Sequence, residues 1–479
     1  MLFNSLEYLV FLPVIWVVYQ CVPQSWRWLL LLAASYYFYM CWKAEYIVLI
    51  LISTLTSYAA GLALARTKKK RLKLIYLFGS LSINLGLLFF FKYFDFFNDS
   101  LRAALATCNI FYESKTFGFL LPVGISFYTF QTLSYAIDVY KHRKKPEKHL
   151  GKFALYVAFF PQLVAGPIER SRHLLPQFHK KFSFNYHQTS FGIKLIAWGL
   201  FKKTVIADRL SSFVDAVYSS PESWQGVSLW LASVFFAFQI YCDFSGYSDI
   251  AIGSVKNFNR PYFSTSIAEF WRRWHISLST WFRDYVYIPM GGNRRKAPRT
   301  YFNLMVTFLL SGMWHGADWT FFLWGAMHCG YLITSKVLRK PMTALSRSAA
   351  AHTSPMAVKL TGALITFFLV TFAWIFFRAG SVREAIYIIT HLHTGWAALP
   401  AVLQNADSIK RVLAFDQRLF EFLVAVWSIV FLLCVEGIQA RLAIHHYLSG
   451  KSFLVKLPFY FLFILLLMGF GFLSEKQFL

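Results

Sequence analysis

Long apolar stretches recur along the whole chain and constrain its fold more than any other feature. They cover 7–22, 28–41, 45–65, 74–94, 118–139, 153–166, 188–205, 227–252, 301–335, 356–377, 420–437 and 453–473. A helix needs about 20 mostly apolar residues to cross the hydrocarbon core of a bilayer. Within lipid every backbone N–H and C=O must be bonded inside the protein, which leaves helices and closed barrels. The chain is therefore read as an all-α polytopic membrane protein, one continuous bundle over 1–479. The stretches 28–41 and 153–166 are short enough to be tilted, half-buried or re-entrant. As a single helix, 301–335 would be about 50 Å long at 1.5 Å per residue. Gly312 and Gly316 interrupt it, so two segments are expected to meet near His315.

Basic loops orient the bundle. Arg66–Lys73, Lys141–Lys148, Arg170–Lys181 and Lys336–Arg347 are rich in Lys and Arg, and the positive-inside bias places them in the cytoplasm. The stretches 96–117, 210–225 and 391–418 then face outward, and both termini are non-cytoplasmic. Composition supports the membrane class: 57% of the 479 residues are hydrophobic and only 15% are charged. The formal net charge of +26 then reads as loop asymmetry and contact with anionic lipid headgroups, not as a nucleic-acid footprint. It also suits a cytosolic mouth that attracts an anionic substrate. Cys21, Cys41, Cys108, Cys242, Cys329 and Cys434 are scattered with no Cys-x-x-Cys pair. That pattern argues against a zinc site or a disulfide framework, and no metal is expected. Most lie in or beside apolar stretches and read as packing residues. With Glu7 ahead of its first apolar stretch and no basic n-region, 8–22 is expected to be a retained span.

Chemistry enters at Ser-Gly-Met-Trp-His-Gly-Ala-Asp-Trp, 311–319. An ionisable His315 inside an apolar run needs a partner or a water-lined cavity. Imidazole also exchanges a proton near neutrality. Trp314 and Trp319 would wall such a site, and Asp318 would share a face with His315 if the helix continued. The competing reading is a hydrogen-bonded helix–helix contact. The segment Arg260–Arg299 holds eight Lys/Arg against two acids, interleaved with Trp271, Trp274 and Trp281. It suits an amphipathic helix at the interface. Within it His275 and Ser279 lie four apart, and Arg272 and Arg273 could hold phosphates or headgroups. The alternative is an interfacial belt with solvated arginines. Asp243 and Asp249 close the apolar stretch 227–252. They are expected to be structural, paired with Arg272 or Arg273, or to line a hydrophilic channel. Pro122–Gln131 and Pro161–Arg170 put Pro and Gly into apolar context and suggest bent or re-entrant segments. His445-His446 reads as an exposed pair. No GxxxxGK[ST], HExxH or GxSxG motif occurs, which disfavours a nucleotide-driven pump and a zinc protease.

Together, Pro122–Gln131, Phe160–Arg170, Tyr241–Gly253, Asn257–Asn293 and Ser311–Trp319 resemble the membrane-bound O-acyltransferase (MBOAT) family, in particular its bacterial alginate O-acetyltransferase branch. The resemblance implies about 11 transmembrane helices, with re-entrant and interfacial helices around a central tunnel. The family's invariant histidine falls on His315 and its second histidine or asparagine on His275. It also implies a thioester donor such as acetyl-CoA as co-substrate, with no tightly bound cofactor. The donor side would draw on Arg272, Arg273, Trp274, Ser279, Trp314, Asp318 and Trp319. The implied acceptor is an extracytoplasmic polysaccharide, such as alginate, another exopolysaccharide or peptidoglycan. An SGNH-hydrolase-like partner outside the inner membrane is implied as well. The chain departs from the family between Ala-Ile-Gly-Ser (251–254) and Asn-Phe-Asn-Arg-Pro-Tyr (257–262). Only Val255 and Lys256 intervene, where the pattern has several more residues. A sibling reading is D-alanyl transfer to teichoic acid. A non-enzymatic reading is a glycan or lipid transporter, which would move substrate without consuming thioester and for which no inverted repeat is visible.

Overall fold

The computed structural model describes the chain except residues 2–4, 113–117, 119, 164–165, 253–257, 339–353, 440–452 and 472–479. The described residues form helices joined by turns and loops, with no strand among them. They group into two compact units: Met1–Gly192 with Trp314–Ala317, and Ile193–Met313 with Asp318–Phe478.

The first unit holds α1 (Leu6–Cys21), α2 (Arg27–Met40), α3 (Ile47–Arg66), α4 (Lys70–Leu88), α5 (Phe94–Ala106), α6 (Ile125–Tyr140) and α7 (Leu150–Ala158). Helices α3, α4 and α6 pack on one another. Apolar surface alone gives little reason for helices to associate in lipid, so polar side chains act as glue. Asn84 of α4 does this here. Its amide donates to Ser57 Oγ of α3 at 3.1 Å, and its carbonyl accepts from Ser53 of α3. The Thr132 hydroxyl of α6 lies 3.1 Å from the same carbonyl oxygen. Between α4 and α5 the helix carries a π turn, Phe89–Tyr93.

The second unit begins within α8 (Tyr186–Leu200), which passes through another π turn, Phe201–Ala207, into α9 (Asp208–Tyr218). Beside them lies α10 (Gly226–Ile252). Gly199 of α8 and Gly246 of α10 let the two backbones touch, since a Cβ on either would lie 2.6–2.7 Å from the other's carbonyl oxygen. The chain continues through α11 (Ile267–Arg273), α12 (Ile276–Phe282), α13 (Ala297–His315), α14 (Trp319–Val337), α15 (Pro355–Arg378), α16 (Val382–His391), α17 (Leu419–Gln439) and α18 (Phe453–Phe470). An aromatic core including Phe236, Phe270, Trp274, Trp324 and Trp374 joins α10, α11, α14 and α15.

Five of the described helical segments are long and apolar enough to cross a membrane: Ala44–Arg66, Lys70–Ala106, Gly226–Ala251, Pro355–Arg378 and Leu419–Gln439. The apolar stretch of α10 is 83% buried in protein, which makes it a central helix of its unit. By contrast α3, α4, α15 and α17 leave rows of large apolar side chains exposed, including Leu51, Leu55, Ile75, Phe78, Leu364, Phe368, Leu423 and Val430. That surface is what a lipid-facing helix presents. All three stretches read as facing outward contain helices: α5, α9 and the short Leu399–Val402 and Ala406–Val412. Leu210, Phe213, Val214 and Val217 repeat at helical spacing, and this face of α9 is fully buried. All six cysteines are free thiols. Cys242 and Cys329 are buried, whereas Cys21, Cys41, Cys108 and Cys434 are exposed and are not core packing residues.

Candidate active site

Helix α13 ends at His315 and α14 begins at Trp319. The break is local chemistry. After Gly316 and Ala317, Asp318 takes extended backbone (φ −150°, ψ 152°), and its carboxylate accepts the Thr320 N–H at 2.7 Å. Asp318 is thus the N-cap of the next helix, a role short acidic side chains favour. It does not continue the helical face of His315. Gly312 and Gly325 bring α13 against α14 upstream of the break, since a Cβ on Gly312 would meet the Phe321 carbonyl oxygen at 2.3 Å.

The last carbonyls of an α-helix have no partner within it. At this end of α13 a lysine supplies one. Lys92, on the π turn between α4 and α5, donates from Nζ to the Trp314 carbonyl at 2.5 Å. It lies 3.4 Å from the His315 carbonyl and 3.2 Å from Ser126 Oγ of α6. A cation here also opposes the negative end of the helix dipole. The Trp314 ring is buried against Phe127 and Phe130, with centroids 5.1 and 5.7 Å away. The half-buried His315 imidazole stands edge-on to the Trp314 ring at 4.9 Å. Its backbone and its neighbouring ring are therefore both fixed. Trp319, expected as a second wall, is 50% exposed and makes an edge contact with Phe322.

His275 is held differently. It lies between α11 and α12 in the left-handed region (φ 40°, ψ 57°). This conformation costs a non-glycine residue on the order of 1–3 kcal/mol and points to an environment that over-determines it. The side chain is 3% exposed, with its ring 4.5 Å from Phe244 and 6.2 Å from Phe258. Burial pushes its pKa down to about 3, so the imidazole is neutral at physiological pH. A neutral imidazole offers one N–H donor and one acceptor nitrogen.

The surroundings of His275 differ from a single interfacial helix. The segment is two short helices broken at Trp274-His275, followed by a π turn at Arg283–Tyr287. The aromatic side chains cause this by facing the core. Phe270 and Trp274 are buried and stack at 5.3 Å, and Trp274 also meets Trp374 at 5.0 Å. Trp274 is thus a packing residue. Ser279 donates its N–H to the His275 carbonyl at 3.0 Å, while its hydroxyl bonds the Trp274 carbonyl at 3.3 Å. Arg273 pairs with Glu269 at 2.5 Å, and Arg272 is exposed.

Asp243 and Asp249 do not pair with Arg272 or Arg273. Lys203 lies 2.6 Å from Asp243 and 2.8 Å from Asp208. Lys202 lies 2.6 Å from Asp249 and 2.5 Å from Ser245 Oγ. Both lysines come from the π turn that joins α8 to α9, so the carboxylates tie α10 to that helix. One turn back along α10 from Ser245, Tyr241 donates to the buried Glu436 of α17. His328 of α14 is fully buried; its Nδ1 accepts the Trp271 indole N–H at 3.3 Å, while its buried Nε2 has no hydrogen-bond partner among the described residues.

Sequence reasoning passed over Lys92, Lys202, Lys203 and Glu436. The signal was available. Phe-Phe-Phe-Lys-Tyr at 89–93 and Phe-Lys-Lys-Thr-Val at 201–205 set ammonium groups inside apolar stretches, the same expense that singled out His315. The short turn at 254–257 and His445-His446 lie outside the described residues. Among the described residues no group of three or more His, Cys, Asp or Glu side chains could hold a metal ion.

Comparison with known proteins follows the same residues. The model of the membrane-bound O-acyltransferase family matches residues 148–379. The probable alginate O-acetylase AlgI of Azotobacter vinelandii is 39% identical over 398 residues, covering 80% of this chain and 76% of the relative. The peptidoglycan O-acetyltransferase of Helicobacter pylori is 37% identical over 403 residues, covering 77% and 73%. The teichoic acid D-alanyltransferase of Streptococcus thermophilus is 28% identical over 289 residues, covering 53% and 68%.

Proposed function

The chain belongs to the membrane-bound O-acyltransferase family, and from that premise we propose that it moves an acetyl group from a cytosolic thioester to hydroxyls of an extracytoplasmic polysaccharide. The donor is acetyl-CoA, consumed as a co-substrate. The acceptor class is that of alginate or peptidoglycan, the polymers named for relatives that cover 80% and 77% of this chain, or a related exopolysaccharide. The D-alanyl reading has weaker support, because that relative matches only 53% of the chain.

One observation carries the assignment of the base. His315 stands at the end of α13, with its carbonyl and that of Trp314 within reach of a lysine and its ring against a fixed indole. In the proposed step His315 takes the proton of an acceptor hydroxyl, and the freed oxygen attacks the thioester carbonyl. The tetrahedral intermediate collapses with cleavage of the C–S bond, and the imidazolium returns its proton to the leaving thiolate, giving CoA and the O-acetyl ester. The neutral imidazole of His275 serves to orient the donor or to donate to the oxyanion. Exposed Arg272, Arg283, Arg294, Arg295, Lys296 and Arg299 supply a basic surface for the phosphates of CoA.

In the cell the reading is a multi-pass protein of the bacterial inner membrane, one integral-membrane domain with about 11 crossings. Its basic loops 66–73 and 141–148 face the cytoplasm, and its termini lie outside. From Ala297 to His315 is about 27 Å at 1.5 Å per residue, so a base at the far end of α13 suits an acceptor arriving from outside. An SGNH-hydrolase-like partner there would complete transfer to the glycan. The test is release of free CoA from acetyl-CoA by the purified protein in lipid nanodiscs, with acetylation of the exported glycan measured in cells. His315→Ala is expected to lower both by about 100-fold or more. Unchanged glycan acetylation by a normally expressed His315→Ala protein would end the assignment.

A further inference from the structure

The geometry points to Lys92 as the residue that positions His315, an inference that rests on the reading of His315 as the base. A lysine inside the segment Lys70–Ala106, which is apolar enough to cross a membrane, is costly unless its ammonium is fully engaged. Here its partners are the Trp314 carbonyl, the His315 carbonyl and Ser126 Oγ, which between them can take up its three N–H bonds. Two of the three partners are the backbone of the proposed base and of the residue before it.

The local fold explains how the ammonium comes to lie there. Lys92 is the fourth residue of the π turn Phe89–Tyr93. A π turn is a single-turn insertion that swings the residues after it around the helix axis, and such turns recur at functional sites. A regular helix through 88–94 would turn each later side chain by about 100° per residue removed. Lys92 would then leave the end of α13. The chain does not close this end of α13 by running straight on, because Gly316 and Ala317 are non-helical and Asp318 caps α14. The ammonium of Lys92 therefore holds the turn that carries the imidazole. It does so through main-chain carbonyls, so its effect falls on where His315 sits and not on which substrate binds.

The experiment compares wild type, Lys92→Met and Lys92→Gln in nanodiscs with acetyl-CoA as the probe. Each protein is also followed by hydrogen–deuterium exchange of peptides covering 311–319 and, as an internal control, 226–251. A displacement of about 1 Å at a catalytic group costs on the order of 100-fold in rate. Lys92→Met is therefore expected to lower kcat by about 10- to 100-fold with KM for acetyl-CoA within about twofold. Exchange across 311–319 should become faster while 226–251 keeps its protection. Lys92→Gln retains N–H donors without the charge and is expected to fall between the two. It also serves as the test protein if the control peptide shows that the Met variant does not fold. Wild-type kcat together with wild-type exchange in a folded variant overturns the inference. Slower turnover with unaltered exchange overturns it too, since Lys92 would then act on the substrate and not on the helix end. A wild-type protein that releases no CoA, yet whose variants lose protection only at 311–319, refutes the acetyl-transfer reading and leaves the role of Lys92 in holding this turn intact.

Discussion

Lys203→Met gives the most exacting test of how the second unit is held together. One ammonium lies 2.8 Å from Asp208 and 2.6 Å from Asp243, and the three side chains are only 10%, 5% and 9% exposed. Methionine keeps most of the volume and removes the cation that both carboxylates share. Breaking a buried ion pair from one side costs about 3–5 kcal/mol, because the remaining charge stays in a poor solvent. Two carboxylates are left here, so the upper part of that range applies. In soluble domains of about 150–250 residues, 1 kcal/mol shifts Tm by about 2–4 °C, so a fall of about 10 °C or more is expected. The assay is tryptophan fluorescence of the detergent-solubilised protein heated at one fixed scan rate, since unfolding of such a protein is read as a rate. The triple variant Lys203→Met, Asp208→Asn, Asp243→Asn removes all three charges and should recover most of the loss. A Lys203→Met protein melting within about 2 °C of wild type would refute the argument. So would a triple variant no more stable than the single one.

His275 yields a second prediction. Asparagine tolerates the left-handed backbone, so His275→Asn should fold normally, whereas His275→Val should be destabilised by about 1–3 kcal/mol. The pH dependence follows from the depressed pKa. The unfolded chain takes up a proton below the ordinary value of 6.5, while the folded imidazole stays neutral until about 3. The contribution of His275 is complete above 6.5 and is lost as pH falls, by about 1.4 kcal/mol per unit; melting against pH should show a shallower acid limb in His275→Asn. A third concerns the basic surface. Replacing Arg294, Arg295 and Lys296 by Gln should raise KM for acetyl-CoA severalfold and flatten its dependence on salt, because exposed charges act through a screened field.

Much of the fold was legible because the hydrocarbon limit acts directly on sequence. The apolar stretches 45–65, 356–377 and 420–437 coincide with α3, α15 and α17 to within two residues at each end. The break near His315 was legible from Gly312 and Gly316, but the role of Asp318 as the cap of α14 was not. What escaped was pairing over distance. Asp243 and Asp249 read as acids that need partners, with Arg272 or Arg273 or a hydrophilic channel as the candidates. The actual partners, Lys203 and Lys202, stand on a π turn about 40 residues earlier, and no helical periodicity reveals such a turn in advance. The surroundings of Trp274 were hidden for a related reason: interleaved aromatics and arginines look alike whether the rings meet lipid, ligand or core. Only its contacts with Phe270 and Trp374 decide for the core.

The segment Lys70–Ala106 has a consequence for how the membrane itself bears on the protein. Its 37 residues make a rod of about 55 Å, with only 22% of its most apolar stretch buried in protein. Its apolar part, 74–94, is about 32 Å long and matches a hydrocarbon layer of about 30 Å, while the helix runs on beyond it at both ends. The π turn is its irregular point, and Lys92 stands on it. A bilayer thicker or thinner than that stretch would load the same segment that grips the carbonyls of Trp314 and His315, so acyl-chain length would enter the mechanical setting of the imidazole.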